Sequence, residues 1–188
     1  MYKYINDKDF LRIRQITFAN LDFSQVNKAI TLIKASLSRK NKILICGNGG
    51  SAAQAEHLAT EFIVRYKSNL RKPIPAISLN SDVSLITAHS NDFTFDTVFN
   101  NQISSLGNKN DLLLVFTTSG KSKNILNALK VAKKNHLKII GFTGTKQNNF
   151  FSRNCDIVIN IGSKDTAIIQ EAHLILTHYI CEILDNFK

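Results

Sequence analysis

Apolar and polar positions along this chain fall into blocks of two kinds. Short apolar runs, rich in β-branched residues and bounded by turn formers, read as buried strands. They are Ile43 to Cys46, Ile74 to Leu79, Asp111 to Phe116, Leu137 to Phe142 and Asp156 to Asn160. Between them lie longer segments with helical spacing of apolar side chains: Ala52 to Val64, Asn80 to His89, Phe93 to Leu106, Lys123 to Asn135 and Thr166 to Phe187. Ahead of the first strand, Asp7 to Ser38 carries apolar positions at the same spacing, interrupted near Asn20–Ser24. That break predicts two helices, with Ser24 as a cap; Ser51 and Ser81 are the caps expected for the helices they precede. Asn91-Asp92 and Thr143 to Asn149 read as turns, and Gly162 to Asp165 as a loop.

Strands alternating with helices predict an α/β fold with a parallel sheet and right-handed crossovers. Five strands in one open sheet suggest a doubly wound, flavodoxin-like order. The chain has no internal repeat or linker, so 1–188 reads as a single domain, with the N-terminal helices of 1–40 available to pack on a neighbouring subunit. In such a sheet a ligand sits beyond the strand carboxyl ends at the switch point, here flanked by strands one and three. The loops that follow these two strands carry the candidate chemistry. The first is Gly47-Asn48-Gly49-Gly50-Ser51, bare backbone opening a helix. The second is Thr117-Thr118-Ser119-Gly120-Lys121-Ser122, a run of hydroxyls and amides opening another. Free amides and the positive end of a helix dipole favour an anion at both places. On the first of these helices His57 and Glu61 stand one turn apart on one face.

Two nucleotide-binding readings fail. The second loop contains Gly-Lys-Ser but lacks the spaced first glycine of a Walker A motif, and the first is not GxGxxG and has no acidic residue after the second strand to hold a ribose. Composition narrows the choice further. A net charge of +10 favours anionic partners. The lysines are scattered, however, without aromatic interleaving or a nucleic-acid motif, so a phosphorylated small molecule is the expected ligand rather than nucleic acid. No run is apolar enough to span a bilayer and the first ten residues lack a signal-peptide core, which predicts a cytoplasmic protein without a membrane partner. The three cysteines, Cys46, Cys155 and Cys181, form no CxxC pair and are expected to be structural thiols.

Taken together, CGNGGSAAQAEHLATE, the pair Asn91-Asp92, TTSGKS and DTAIIQEAHLILTH stand in the order and approximate spacing of the bacterial phosphoheptose isomerases, members of the sugar-isomerase (SIS) domain group. The resemblance covers nearly the whole chain and is weakest before Lys42. It implies a SIS fold and conversion of sedoheptulose 7-phosphate to D-glycero-D-manno-heptose 7-phosphate, the first step of heptose synthesis for lipopolysaccharide or capsule glycans. It further implies a cytoplasmic homotetramer with active sites between subunits, and one zinc ion per subunit.

Residue by residue, the resemblance implies that Asn48, Gly49 and Gly50 line the sugar-phosphate site and that Thr117, Thr118, Ser119 and Ser122 hold the phosphate. Asn91 and Asp92 contact the sugar, and Glu61 and His178 form the acid–base pair. His57, Glu61, Gln170 and His178 match the zinc positions, with Glu61 and Gln170 also facing substrate. Such an isomerisation needs a carboxylate to carry a proton between adjacent carbons and a group such as imidazole to carry one between oxygens. Gln170 and His178 lie about 12 Å apart along one helix and on different faces, so a shared metal requires extended side chains or an adjacent subunit. Three positions depart from the family pattern: Thr117 for Ser, Lys121 for Asn, and Ile168 for an Arg often seen before Ile-Gln-Glu. The last two bear on substrate preference among ketose phosphates. The competing reading is a non-catalytic SIS protein that binds a replication initiator or senses sugar phosphates.

Overall fold

The computed structural model describes residues 6–144 and 150–187. Two helices, α1 (Asp7–Ala19) and α2 (Phe23–Ser38), lead into β1 (Ile43–Cys46), α3 (Gly50–Ile63), β2 (Ala76–Ser78) and α4 (Val83–Asp92). A 3-10 turn (Phe95–Thr97) and α5 (Asn100–Leu106) follow, then β3 (Leu112–Phe116), α6 (Lys123–Lys134), β4 (Lys138–Thr143), α7 (Phe150–Asn154), β5 (Ile157–Asn160) and α8 (Thr166–Asp185). All strand pairs are parallel, in the order β2-β1-β3-β4-β5. This is the doubly wound order expected from the alternation of elements.

The side-chain period of two divides each central strand between two layers. Ile43 and Ile45 of β1, with Leu112, Leu114 and Phe116 of β3, face a core built with α2, α3 and α8. Leu44 and Cys46, with Leu113 and Val115, face a second core that includes Phe99, Ile103, Ile125, Leu129 and Phe151. Both faces are covered, which is why these strands read as unbroken apolar runs. The three cysteines are free thiols. No helix among the described residues is long and apolar enough to cross a membrane.

The N-terminal segment is two unlike pieces. Helix α2 buries Val26, Ala29, Ile30 and Ile33 in the core. Helix α1 buries nothing and leaves Phe10, Leu11, Ile13 and Ile16 exposed. Its polar tie to the body is Arg14, whose Nη2 donates to Glu171 Oε1 at 2.8 Å.

Several local expectations are corrected. The cap of α2 is Asp22, which accepts from Ser24 N, and the cap of α4 is Asp82, not Ser81. A carboxylate is the stronger acceptor where both lie within reach. Ser51 is not a cap but a buried first-turn residue, because Gly49 at φ 56° makes the turn into α3 without a side-chain bond. Asn91-Asp92 is the last turn of α4 rather than a connection. Phe93–Leu106 is a 3-10 turn and a short helix, since Thr94 caps a new start at Asp96 N. Helix α7, only five residues long, is not among the helices expected from the apolar spacing. Of the turn expected over Thr143 to Asn149, residues 145–149 lie outside the described residues.

Candidate active site

The carboxyl ends of β1 and β3, adjacent in the sheet, deliver the two glycine- and hydroxyl-rich loops side by side. Three asparagines fasten them. Asn48 and Asn124 exchange both amide hydrogen bonds, at 2.9 and 2.8 Å, joining the first loop to the start of α6. Asn80, after β2, accepts from Gly47 N at 3.1 Å and donates to Gly47 O at 3.0 Å. The sequence singled out Asn48 but not Asn80 or Asn124, because an amide before or inside a helix carries no periodic signal.

Both helix starts at this crevice lack a side-chain cap: Gly49 before α3 and Ser122 before α6 make no such bond. Elsewhere α1, α2, α4 and α8 are each capped by an Asn or Asp side chain, while the short α5 is not. Ser51 N and Ala52 N of α3 donate to Asn48 O and Gly49 O, and Ile125 N of α6 to Asn124 Oδ1, which leaves the amides of Gly50, Lys123 and Asn124 for a ligand. In the second loop Thr117 Oγ1 accepts from Gly120 N at 3.1 Å, and Ser119 Oγ accepts from Lys121 N at 3.2 Å. A hydroxyl that accepts a backbone amide keeps its own proton to donate to a phosphate oxygen. Thr118 is half-buried and its carbonyl accepts from Gly144 N at 3.1 Å.

Glycine is required at the root of the first loop. A methyl group on Gly47 would stand 2.4 Å from the Ser51 carbonyl oxygen and 2.6 Å from its carbon, and both are backbone atoms. The start of α3 would have to move. Gly47→Ala is expected to cost about 1–3 kcal/mol, the range for overpacking a tight interior. A thermal melt of the variant beside the parent chain checks this, and equal midpoints would show that the loop yields.

A second cluster lies farther along α3. His57 Nε2 is 2.9 Å from His178 Nε2 of α8, with the rings at 65°. Glu61 Oε1 is 3.8 Å from His57 Nε2. The contact between two ring nitrogens is a hydrogen bond only if one of them carries the proton. Burial lowers the pKa of His178, the His57 ring lowers it further, and Glu61 acts in the opposite sense. The structure thus brings together His57, Glu61 and His178 from helices 121 residues apart in sequence.

Gln170 is placed differently. Its side-chain amide lies against Gly50, where an added Cβ would meet Nε2 at 2.6 Å, and its carbonyl accepts from Gln54 Nε2. Among the described residues no hydrogen bond joins its side chain to either imidazole. The two turns of α8 between Gln170 and His178 account for this. Asn91 and Asp92 are exposed on α4, and Asn91 Nδ2 donates to Asp92 Oδ1 at 2.9 Å, with no bond to either loop.

Two imidazoles and a carboxylate are donors that a zinc ion accepts. Two ring nitrogens aimed at one another, rather than at separate protein acceptors, suit that role. Among the described residues no group of three His, Cys, Asp or Glu side chains already has metal-holding geometry. Along α3 the cluster is also well removed from the glycine loop at the start of that helix. His57 and Glu61 are about 10 and 16 Å along the axis from Gly50.

The remaining histidines are structural or on the surface, as expected. His136 is exposed. His89 is buried and shares a 2.9 Å hydrogen bond with Thr97 Oγ1. His173 is fully buried between Phe116 and Phe142.

Comparison with known proteins agrees with this layout. A family model described as SIS domain matches residues 11–144. The chain is 43% identical over 182 residues to a phosphoheptose isomerase of Campylobacter concisus, covering 95% of each chain. The structure of a phosphoheptose isomerase from Francisella tularensis superposes with a TM-score of 0.87 at 32% identity, covering 96% of this chain and 99% of that one. One from Neisseria gonorrhoeae gives 0.83 at 34% identity, covering 95% and 94%. With the order of strands, the two loops at the switch point and the sequence likeness all in agreement, the chain belongs to the phosphoheptose isomerases of the SIS-domain family.

Proposed function

We infer that this chain is an aldose–ketose isomerase that converts sedoheptulose 7-phosphate to D-glycero-D-manno-heptose 7-phosphate in heptose biosynthesis. The observation that carries the reading is the convergence of Glu61, His57 and His178 in a phosphoheptose isomerase chain that also keeps two uncapped helix starts at its switch point. The phosphate sits on the Thr117–Ser122 loop, held by first-turn amides and by the protons of Thr117, Thr118, Ser119 and Ser122. The Asn48-Gly49-Gly50 backbone and Gln170 line the sugar, with Asn91 and Asp92 at its far side. Glu61 takes a proton from C1 of the ketose and returns it to C2 through an enediolate. His178 moves a proton from the oxygen on C1 to the oxygen on C2, so each step balances within one substrate. His57, Glu61 and His178 would hold zinc, with Gln170 able to join them only from a neighbouring copy; when bound, the metal would polarise the carbonyl and steady the enediolate charge.

The spacing along α3 supports a site completed between subunits. A single heptose phosphate reaching from the uncapped loop of one protomer to Glu61 of the same protomer would run nearly the length of the helix. A neighbouring copy can present its cluster from the side. The bare face of α1 and the exposed Ile63, Val64, Leu174 and Ile175 near the cluster supply apolar surface for such copies, in keeping with a homotetramer. A cytoplasmic setting fits a substrate of central carbohydrate metabolism and the three free thiols.

The test is incubation of the purified chain with a panel of ketose 7- and 6-phosphates, with and without chelator, followed by NMR. Heptulose phosphate is expected to turn over fastest, with turnover falling after chelation. Binding to a replication initiator with no turnover of any sugar phosphate would favour the non-catalytic reading instead.

A further inference from the structure

The segment between α3 and β2 belongs to neither loop at the switch point, yet a dense set of hydrogen bonds ties it down. Asp185, the last residue of α8, has a side chain only 6% exposed. Its Oδ2 accepts from Lys67 N and Ser68 N, each at 2.8 Å, and its Oδ1 from Arg71 Nε at 2.9 Å. The Arg71 side chain is 3% exposed and donates onward to backbone: Nη1 to Phe62 O at 2.9 Å and to Lys72 O at 3.0 Å, and Nη2 to Glu61 O at 2.7 Å. One carboxylate at the end of α8 and one guanidinium thus fasten the end of α3, at Glu61 itself, to the end of the helix that carries His178. Burial would raise the pKa of Asp185, but the two amides and Arg71 outweigh it and hold the carboxylate below its ordinary range.

A tie between two helix ends needs no aromatic group. Yet the residue just before the pinned Lys67 and Ser68 is Tyr66, and its ring lies over the His178 imidazole, with centroids 5.3 Å apart and planes at 29°. His57 meets the same imidazole edge-on. The His178 ring is therefore held between a stacked phenol and a crossing imidazole, while the backbone that follows Tyr66 is held by Asp185 through Lys67 N and Ser68 N.

We propose that Tyr66, fixed by the Asp185–Arg71 clamp, is a positioning residue for His178, setting the plane in which its imidazole faces His57 and the substrate. The role in turnover rests on the reading of His178 as a proton-transfer group. Stacking fixes the ring plane without consuming either nitrogen. The phenol hydroxyl takes no part, so Phe should serve as well as Tyr, and Ala should not.

The experiment compares Tyr66→Phe and Tyr66→Ala in the full-length chain by steady-state kinetics and by NMR of histidine ring protons. Tyr66→Phe is expected to keep kcat within roughly twofold of the parent chain. Tyr66→Ala is expected to lose ~10- to 100-fold in kcat, the scale of a misplaced catalytic group, with KM nearly unchanged because the phosphate is held elsewhere. The His178 ring-proton shifts should move in the Ala variant and stay in the Phe variant. Parental kcat in Tyr66→Ala, or equal losses in both variants, would overturn the proposal. If the parent chain turns over no heptulose phosphate, the functional reading fails. The ring shifts then decide the positioning alone, and unchanged His178 signals in Tyr66→Ala would overturn it. Asp185→Asn provides a second check. In folded protein it should move the His178 signals in the same direction as Tyr66→Ala, and unmoved signals would remove the clamp from the proposal.

Discussion

Glu61→Gln is expected to reduce turnover of sedoheptulose 7-phosphate by roughly 10²–10⁴-fold, the range for loss of a positioned acid–base group. The amide keeps the shape of the side chain, which is 18% exposed and makes no buried ion pair, so folding should survive. It cannot accept a proton from carbon. The mechanism also predicts a label effect. In deuterated water the parent chain should place deuterium at C2 of the product, because the proton on Glu61 exchanges with solvent before it returns, and Glu61→Gln should lose exchange and turnover together. His178→Ala should produce a loss of the same order. The double variant should lose little more than either single one, since residues that act in one step are not additive. Unchanged rates in both single variants would take Glu61 and His178 out of the reaction.

The second large effect concerns stability in acid and centres on His173. Its ring is wholly enclosed, between Phe116 and Phe142, and neither nitrogen has a hydrogen-bond partner of normal geometry. Burial pushes its pKa down to about 4, with the nearby Thr143 backbone pulling weakly the other way. The sign follows directly. The unfolded chain, with an ordinary histidine near 6.5, binds the proton more readily than the folded chain does. Stability from this group is therefore complete above about pH 6.5 and is lost as pH falls toward 4. Between pH 7 and 5 the loss is about 2 kcal/mol. Urea unfolding of the parent chain and His173→Leu, at fixed protein concentration, should show a fall in the parent larger by about that amount. Parallel pH dependences would mean that the imidazole is not held neutral by its surroundings. Because His173 shares α8 with Gln170 and His178, acid exposure should loosen the helix that carries the proposed proton-transfer group.

The fold was legible because its strands are buried on both faces. Such strands appear as plain apolar runs, and the run at Leu112–Phe116 is buried at every position and sits at the centre of the sheet. The two loops at the switch point were legible for a related reason: glycine and hydroxyl residues interrupt the apolar run where each strand gives way to a helix. Cap positions were less so. Asp82 stands beside a serine and Asp22 two residues from one, each ranked nearly as high by propensity, and only geometry decides which oxygen reaches the amide. Long-range partners left no trace at all. Arg71 and Asp185 are 114 residues apart, and Asn48 and Asn124 are 76 apart. No local pattern announces either pairing. The same limit applies to Gln170. A motif assigns it to the company of His57 and His178, but two turns of helix rise carry its side chain to Gly50 instead.

The reciprocal bond between Asn48 and Asn124 has a bearing on how an enzyme of this kind uses affinity. With the two walls of the crevice clasped by neutral amides, their arrangement is settled when the chain folds, not when a sugar arrives. Little of the attraction between phosphate and protein then goes to ordering the receptor. More of it remains to restrain the distant, reacting end of the ligand, where the rate is decided. Neutrality matters too: an aspartate in place of either asparagine would set a negative charge beside an incoming dianion, opposing the very group that the helix starts are disposed to receive.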